Sequence, residues 1–323
     1  MPNQQARNGT ESANIAAPLC QPNQSTSYLN SPTPGSVKHL LDTKQNVVLV
    51  GNAEAMLRSL PSGSAQMAVT SPPYWSLRDY QTDGQIGRDE NLDEYLKSLV
   101  RIFDEVGRIL SSNGTLWVNI GDSYTSGNRT WRAPDPKNSA RAMAMRPPNP
   151  EGTKNKDLIG IPWRFALAMQ DAGWYVRSDI IWYKPNCQPE SVRDRPTRSH
   201  EHIFLFSKNE RYYYDVTAVT GPNGRRLRDV WDINTVGYPG AHFATFPPEL
   251  VRRCIALGSQ RDDLVLDPFL GSGTTGKIAI DMGRRFAGTE VNPDYIPLIR
   301  ERIAKNPQSA DQALFTITHE TAV

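Results

Sequence analysis

A chain of 323 residues with 36 Lys/Arg against 34 Asp/Glu has a formal charge of only +2, so it is not basic throughout. Its 38% hydrophobic content supports a real core, and its length allows one large α/β domain or two smaller ones. Three distant cysteines (Cys20, Cys187, Cys254) and five scattered histidines exclude a disulfide framework and a zinc pattern, and no apolar run approaches the ~20 residues of a membrane span. No charged-then-apolar leader opens the chain, so the expectation is a cytoplasmic protein with no metal and no membrane partner.

Residues 1–45 are rich in Asn, Gln, Ser, Thr and Pro and lack apolar periodicity, which predicts a mobile arm. The residues after 305 read the same way, as a polar tail over 306–323. In the body, short apolar runs of strand length fall at 47–50, 66–70, 115–120, 178–184, 202–207, 264–267 and 286–291. Seven strands are therefore expected. Helical patterns separate most of them. Leu92, Tyr95, Leu96, Leu99, Ile102, Phe103, Val106 and Leu110 have the spacing of one helical face. Residues 161–173 carry Pro162 near the start and Gly173 at the end, and 246–258 carry Pro247, Pro248 and Gly258 in the same sense. Alternating strands and helices predict an open, mostly parallel α/β sheet with helices on both faces. No helix separates 178–184 from 202–207, so those two are expected to pair antiparallel at an edge. Residues 126–156 interrupt the body with seven Lys/Arg against two Asp/Glu, and a loop of that length is functional or disordered.

Two stretches carry chemistry. "VTSPPYW" ends a strand in two consecutive prolines. Proline removes a backbone donor and fixes φ, and it pushes the preceding residue to extended geometry. Ser71 and Pro72 thus sit in a stiff turn whose carbonyls have few intrachain partners. Read alone, this is an ordinary strand ending with two core aromatics.

The second stretch, "LVLDPFLGSGTTGKIAIDMG", is a strand, a glycine-rich turn and a helix, and Glu290 follows Gly271 by 19 residues. Gly271, Gly273 and Gly276 fit G-x-G-x-x-G. Glycines let backbone N–H groups approach a ligand at a helix N-terminus, and the acid accepts ribose hydroxyls. Close strand–helix packing explains the glycines without Glu290. ATP is rejected because Ile278 stands where Ser or Thr must hold magnesium. A dinucleotide is disfavoured because only 33 residues follow Glu290. S-adenosylmethionine fits best: Asp267 would face its ammonium and the loop amides its carboxylate.

Together "TSPPY" and "DPFLGSGTTG…GTEVNPDY" resemble the β group of DNA amino-methyltransferases, in which the catalytic motif precedes the cofactor motif. The resemblance runs from about residue 46 to 305. It implies a circularly permuted, seven-stranded, S-adenosyl-L-methionine-dependent methyltransferase sheet with one antiparallel edge strand. The catalytic half would be 46–208 and the cofactor half 242–305, with a candidate target-recognition region over 209–241. Ser71, Pro72, Pro73 and Tyr74 would form the catalytic loop. The cofactor would touch Asp267, Pro268, Phe269, Gly271, Ser272, Gly273, Thr274 and Thr275. Glu290 would accept its ribose hydroxyls, the segment with His242, Phe246 and Pro247 would close over its methionine end, and Thr70, Val291 and Asn292 would be further contacts. Many relatives carry Gly-Asp where this chain has Gly51-Asn52, and Asn52 would accept from the adenine amine through its carbonyl.

The implied activity is transfer of a methyl group to a base amine in double-stranded DNA, as the modification half of a type II restriction system. Ser at position 71, where adenine enzymes usually carry Asp, resembles the N4-cytosine subgroup; N6-adenine methylation is the alternative. The Ser71 hydroxyl and Pro72 carbonyl would steer the amine's lone pair at the methyl group, Tyr74 would stack on the base, and the base must first be flipped out of the duplex. A C5-cytosine enzyme needs a nucleophilic thiolate, and Cys187 lacks that setting. A non-catalytic DNA-binding protein would have no use for the glycine loop with Glu290. Arg193, Arg195, Arg225, Arg226 and Arg228 are the expected DNA contacts. The site is expected to be short and palindromic, and the enzyme a monomer rather than a homodimer.

Overall fold

The computed structural model describes residues 26–30, 32–77, 82, 84–88, 90–125, 148–236, 246–304 and 315–319. Its strands are β1 (Thr26–Asn30), β2 (Asn46–Val50), β3 (Ala65–Thr70), β4 (Leu110–Ile120), β5 (Tyr175–Tyr183), β6 (His200–Ser207), β7 (Val230–Asp232), β8 (Leu264–Asp267), β9 (Arg285–Glu290) and β10 (Phe315–His319). They form one sheet in the order β1-β10-β2-β9-β8-β3-β4-β6-β5-β7. The helices are α1 (Pro34–Asp42), α2 (Ala53–Leu57), α3 (Leu92–Ile109), α4 (Ile161–Asp171), α5 (Pro248–Gly258), α6 (Thr274–Asp281) and α7 (Ile296–Ala304).

The strands alternate their side chains between two cores, as the period of two requires. Val47, Leu49, Ala68, Leu116 and Val118 face one layer, with buried residues of α1, α2, α3 and α4. Val48, Val50, Met67, Val69 and Trp117 face the other, with α5, α6 and α7. α3 shows why such a segment is helical. An Asn91–Glu94 capping box starts it, and Tyr95, Leu99, Ile102, Phe103 and Val106 bury one stripe.

All seven expected strands are present, but the sheet has ten among the described residues. The arm expected over 1–45 is corrected at its end: residues 26–30 are a strand, and 34–42 are a helix with a Thr33–Ser36 capping box. The polar tail is corrected at 315–319, a strand lying parallel between β1 and β2. Residues 230–232 of the expected target-recognition region extend the sheet beside β5. Each added strand is only three to five residues long and pairs with a segment far from it in sequence. β6 is antiparallel to both β4 and β5, as expected of one strand. It lies inside the sheet rather than at the edge, because β5 and β7 pair outside it. Most of the basic 126–156 loop, residues 126–147, lies outside the described residues, as do 237–241; 148–156 form tight turns. No described helix is long and apolar enough to cross a membrane, and no described cluster of His, Cys, Asp and Glu has metal-binding geometry.

This topology positions the site. β2, β3, β4, β8 and β9 run the same way, so Val50, Thr70, Ile120, Asp267 and Glu290 end at one rim. β6, running oppositely, starts there with His200 and Glu201. The helix after β3 packs on one face and the helix after β8 on the other, so the order switches between these adjacent strands. Open α/β sheets hold their ligands at such a point.

Candidate active site

At the switch point the two strand ends are tied together. The Thr70 hydroxyl donates to Asp267 Oδ1 at 2.6 Å, and Thr275 Oγ1 of α6 donates to Oδ2 at 2.6 Å. The Phe269 N–H donates to Oδ1 at 3.0 Å. Asp267 is only 1% exposed and burial raises its carboxyl to about 6, against those three hydrogen bonds. Asp267 does not line the cleft, and its three hydrogen bonds clamp the catalytic strand to the glycine turn.

The cleft encloses about 790 Å³, open solvent at its mouth included. Ser71 and Pro73 line it from the end of β3, and Pro268, Phe269, Gly271, Ser272 and Thr274 from the turn after β8. Glu290 and Val291 close it beside Phe246. Gly273 turns the chain into α6 with φ +83°, a left-handed conformation that favours glycine. The Glu290 carboxylate is held in two directions. Gly271 N–H donates to Oε2 at 2.7 Å and Asn292 N–H to Oε1 at 2.8 Å. The Gly271 amide expected to meet a ligand carboxylate is thus spent on Glu290. Each Glu290 oxygen keeps acceptor capacity for a ligand hydroxyl. Ser272 Oγ is buried with no partner, an orphaned polar atom in the turn that a polar ligand would satisfy.

Burial pushes Glu290 up to about 7 from its ordinary 4.5, against its backbone hydrogen bonds and with Asp267 adding to the rise. The folded chain therefore holds this proton more tightly than the unfolded chain. The stability that follows is fully present below about pH 4.5 and is lost as pH rises through about 7, a loss of roughly 3 kcal/mol. Glu290→Gln removes the ionisation. Relative to wild type, its denaturant-unfolding free energy should improve by that order between pH 5 and pH 8. Parallel pH profiles for the two proteins would contradict the assignment.

Other sequence-derived residues are placed differently. Asn52 Oδ1 caps α2, accepting from Ala55 N–H at 3.3 Å, so the carbonyl expected to meet an adenine amine is engaged at the helix start. Pro247 is the residue before α5. His242 lies outside the described residues. Gln85, Ile86, Leu270, Thr289 and Tyr295 line the cleft without having been singled out. Leu270, Thr289 and Tyr295 had a signal, since they lie within the "DPFLGSGTTG" and "GTEVNPDY" stretches; Gln85 and Ile86 had none.

The catalytic turn is built rigidly. Trp75 is buried and its Nε1–H donates to the Glu90 carbonyl at 2.9 Å, so this aromatic anchors the loop to the core. Tyr95 Oη of α3 donates to the Pro73 carbonyl at 2.8 Å. Among the described residues no donor reaches the Pro72 carbonyl. Tyr74 packs on Gly121, just past β4; a Cβ there would lie 2.7 Å from its ring. Its hydroxyl donates to Glu201 Oε2 at 2.6 Å, and Asn119 Nδ2 lies 2.9 Å from both. Glu201 also pairs with Lys184. Burial raises the Glu201 carboxyl, but Lys184 and the Tyr74 and Asn119 hydrogen bonds outweigh it and hold it below the ordinary carboxylate range. Burial, with the Glu201 charge beside it, holds the Tyr74 hydroxyl well above a tyrosine's ordinary value.

The arginines divide. Arg193 and Arg195 sit in the connection after β5, at the catalytic rim. Arg193 is exposed. Arg195 pairs with Glu190 and stacks 3.8 Å above the Tyr124 ring. Asp194 pairs with Lys156. Arg225, Arg226 and Arg228 are exposed on the segment leading into β7. Arg198, also at the rim, has a buried Nη1 with no partner.

A family model described as DNA methylase matches residues 65–301. The type II methyltransferase M.SmaI of Serratia marcescens is 54% identical over 264 residues, which is 80% of this chain and 90% of that protein. Two solved structures share the fold. The PvuII DNA methyltransferase, named cytosine-N4-specific, aligns with TM-score 0.63 at 21% identity, over 85% of this chain and 95% of that one. TTHA0409 of Thermus thermophilus, by name a DNA modification methylase and solved in complex with S-adenosyl-L-methionine, aligns with TM-score 0.60 at 24% identity, over 86% of this chain and 100% of that one.

Proposed function

Since this chain belongs to the N6/N4 DNA methylase family, it is a DNA methyltransferase, and we propose that its substrate is the N4 amine of cytosine in a short, palindromic, double-stranded site, which it modifies as a monomer to protect DNA from a cognate endonuclease. The observation that carries the base assignment is Ser71. A neutral hydroxyl lines the cleft at the first position of the Ser-Pro-Pro-Tyr turn. The fold shared with a cytosine-N4-specific enzyme supports the same reading.

The methyl donor is S-adenosyl-L-methionine, which when bound supplies a methyl group on a positively charged sulfur. The residues present fit it. Glu290 offers acceptors for ribose hydroxyls, Ser272 an unpaired buried hydroxyl, and Phe269, Phe246 and Val291 apolar walls. The chain's own work is orientation. A base amine is a weak nucleophile because its lone pair is delocalised into the ring. Ser71 Oγ and the Pro72 carbonyl accept the two amine hydrogens and turn the lone pair out of that plane. The Tyr74 face holds the flipped base. S-adenosyl-L-methionine held in the cleft would supply the methyl group to the amine nitrogen so aimed, its C–S electron pair staying on sulfur, and the amine would shed one proton to water. Holding two reactants in line supplies much of such an acceleration. The protein needs no covalent bond to the base. Arg193, Arg195, Arg225, Arg226 and Arg228 are proposed to contact the duplex.

A plasmid grown in a host expressing the chain and challenged with a panel of endonucleases tests this function. Protection at one short sequence and cleavage elsewhere is expected. Cleavage at every site would overturn the protective role.

A further inference from the structure

Glu201 lies 130 residues from Ser71 in sequence, yet β6 brings its carboxylate to the catalytic turn, with its side chain only 17% exposed. Resting on the acceptor clamp proposed above, we infer that Glu201 is a positioning residue: through the Tyr74 hydroxyl it aims the single proton of Ser71 away from the cleft, leaving the Ser71 lone pairs for the incoming amine.

The direction of each hydrogen bond follows from donor counting. An ionised carboxylate only accepts, and a tyrosine hydroxyl has one proton. At 2.6 Å that proton goes to Glu201 Oε2. Tyr74 Oη can then only accept. Asn119 Nδ2, which also donates to Glu201 Oε2 at 2.9 Å, donates to it at 2.9 Å. The remaining neighbour is Ser71 Oγ at 3.5 Å, which donates its proton to Tyr74 Oη. That contact is long, as catalytic hydrogen bonds often are before a substrate closes on them. Asn119 Nδ2 also stands 3.5 Å from Ser71 Oγ, but its two hydrogens are already given to Glu201 and Tyr74 at shorter range, so the Ser71 proton remains the one that reaches Tyr74 Oη. Lys184 keeps Glu201 ionised, so the polarity of the whole chain is set from one charge. A free serine hydroxyl could instead point its proton at the amine, where it would oppose the clamp.

Single-turnover transfer from labelled S-adenosyl-L-methionine to sheared genomic DNA of a methylation-deficient host tests this. Tyr74→Phe keeps the ring and removes the relay. It should slow transfer about tenfold, less than the ~10²–10³-fold cost of deleting a preorganised partner outright, with cofactor affinity unchanged. Placed in a Ser71→Ala background, Tyr74→Phe should cost nothing more, because residues acting through one group are non-additive. Glu201→Gln should reproduce the slowing at unchanged cofactor affinity. A wild-type rate for Tyr74→Phe, or the same fold loss in both backgrounds, would overturn the relay while leaving the clamp standing. A wild-type rate for Ser71→Ala would instead overturn the clamp, and the relay with it.

Discussion

Ser71→Ala should slow methyl transfer in a single turnover by ~10²–10³-fold, the cost of removing one preorganised partner of developing charge. Ser71 lines the cleft, so loss of its hydroxyl falls on the reacting amine. The scaffold around it does not depend on it. Trp75 is held by Glu90, Pro73 by Tyr95, and Tyr74 by Glu201 and Asn119. Cofactor affinity and duplex affinity should therefore stay near wild type, and the loss should appear in the transfer step alone. Equal loss of DNA binding would mean that the turn had shifted. An unchanged rate would reduce the Pro-Pro turn to a strand ending.

Glu290→Ala should lower S-adenosyl-L-methionine affinity by about one to two decades in titration calorimetry, corresponding to roughly 1.5–3 kcal/mol for charge-assisted hydrogen bonds. Two effects combine. The ribose hydroxyls lose their acceptor, and the Gly271 and Asn292 N–H groups lose theirs, so the turn that forms the cleft is loosened as well. Glu290→Gln retains one carbonyl acceptor and should fall between alanine and wild type. Unchanged affinity in the alanine variant would remove Glu290 from the site.

Local signals make much of this legible in the sequence. The seven principal strands are apolar runs bounded by turn residues, and α3 announces itself by periodicity. The glycine turn and the Ser-Pro-Pro-Tyr turn carry their geometry in their residue types. α1 also has a local signal: Thr33 and Ser36 frame a capping box, with Val37, Leu40 and Leu41 on one face, but the surrounding polar composition masks it. Non-local pairings are not legible. Nothing near β10 indicates that it will lie between β1 and β2. Asp267 reads as a ligand contact because it ends a strand beside the glycines. Its capture by Thr70, 197 residues away, depends on β3 and β8 being neighbours. Glu201 meets Tyr74 only through the antiparallel register that sets Ile120 opposite His202. Its one sequence trace is an acid just before the apolar run Ile203 to Phe206.

The central claim is that a neutral Ser71 acceptor serves the N4 amine of cytosine. Mass analysis of nucleosides released from DNA methylated by the purified protein tests it most directly. The expected result is N4-methylcytosine, absent from DNA treated with Ser71→Ala over a single turnover time of the wild type. N6-methyladenine with no N4-methylcytosine would contradict the claim.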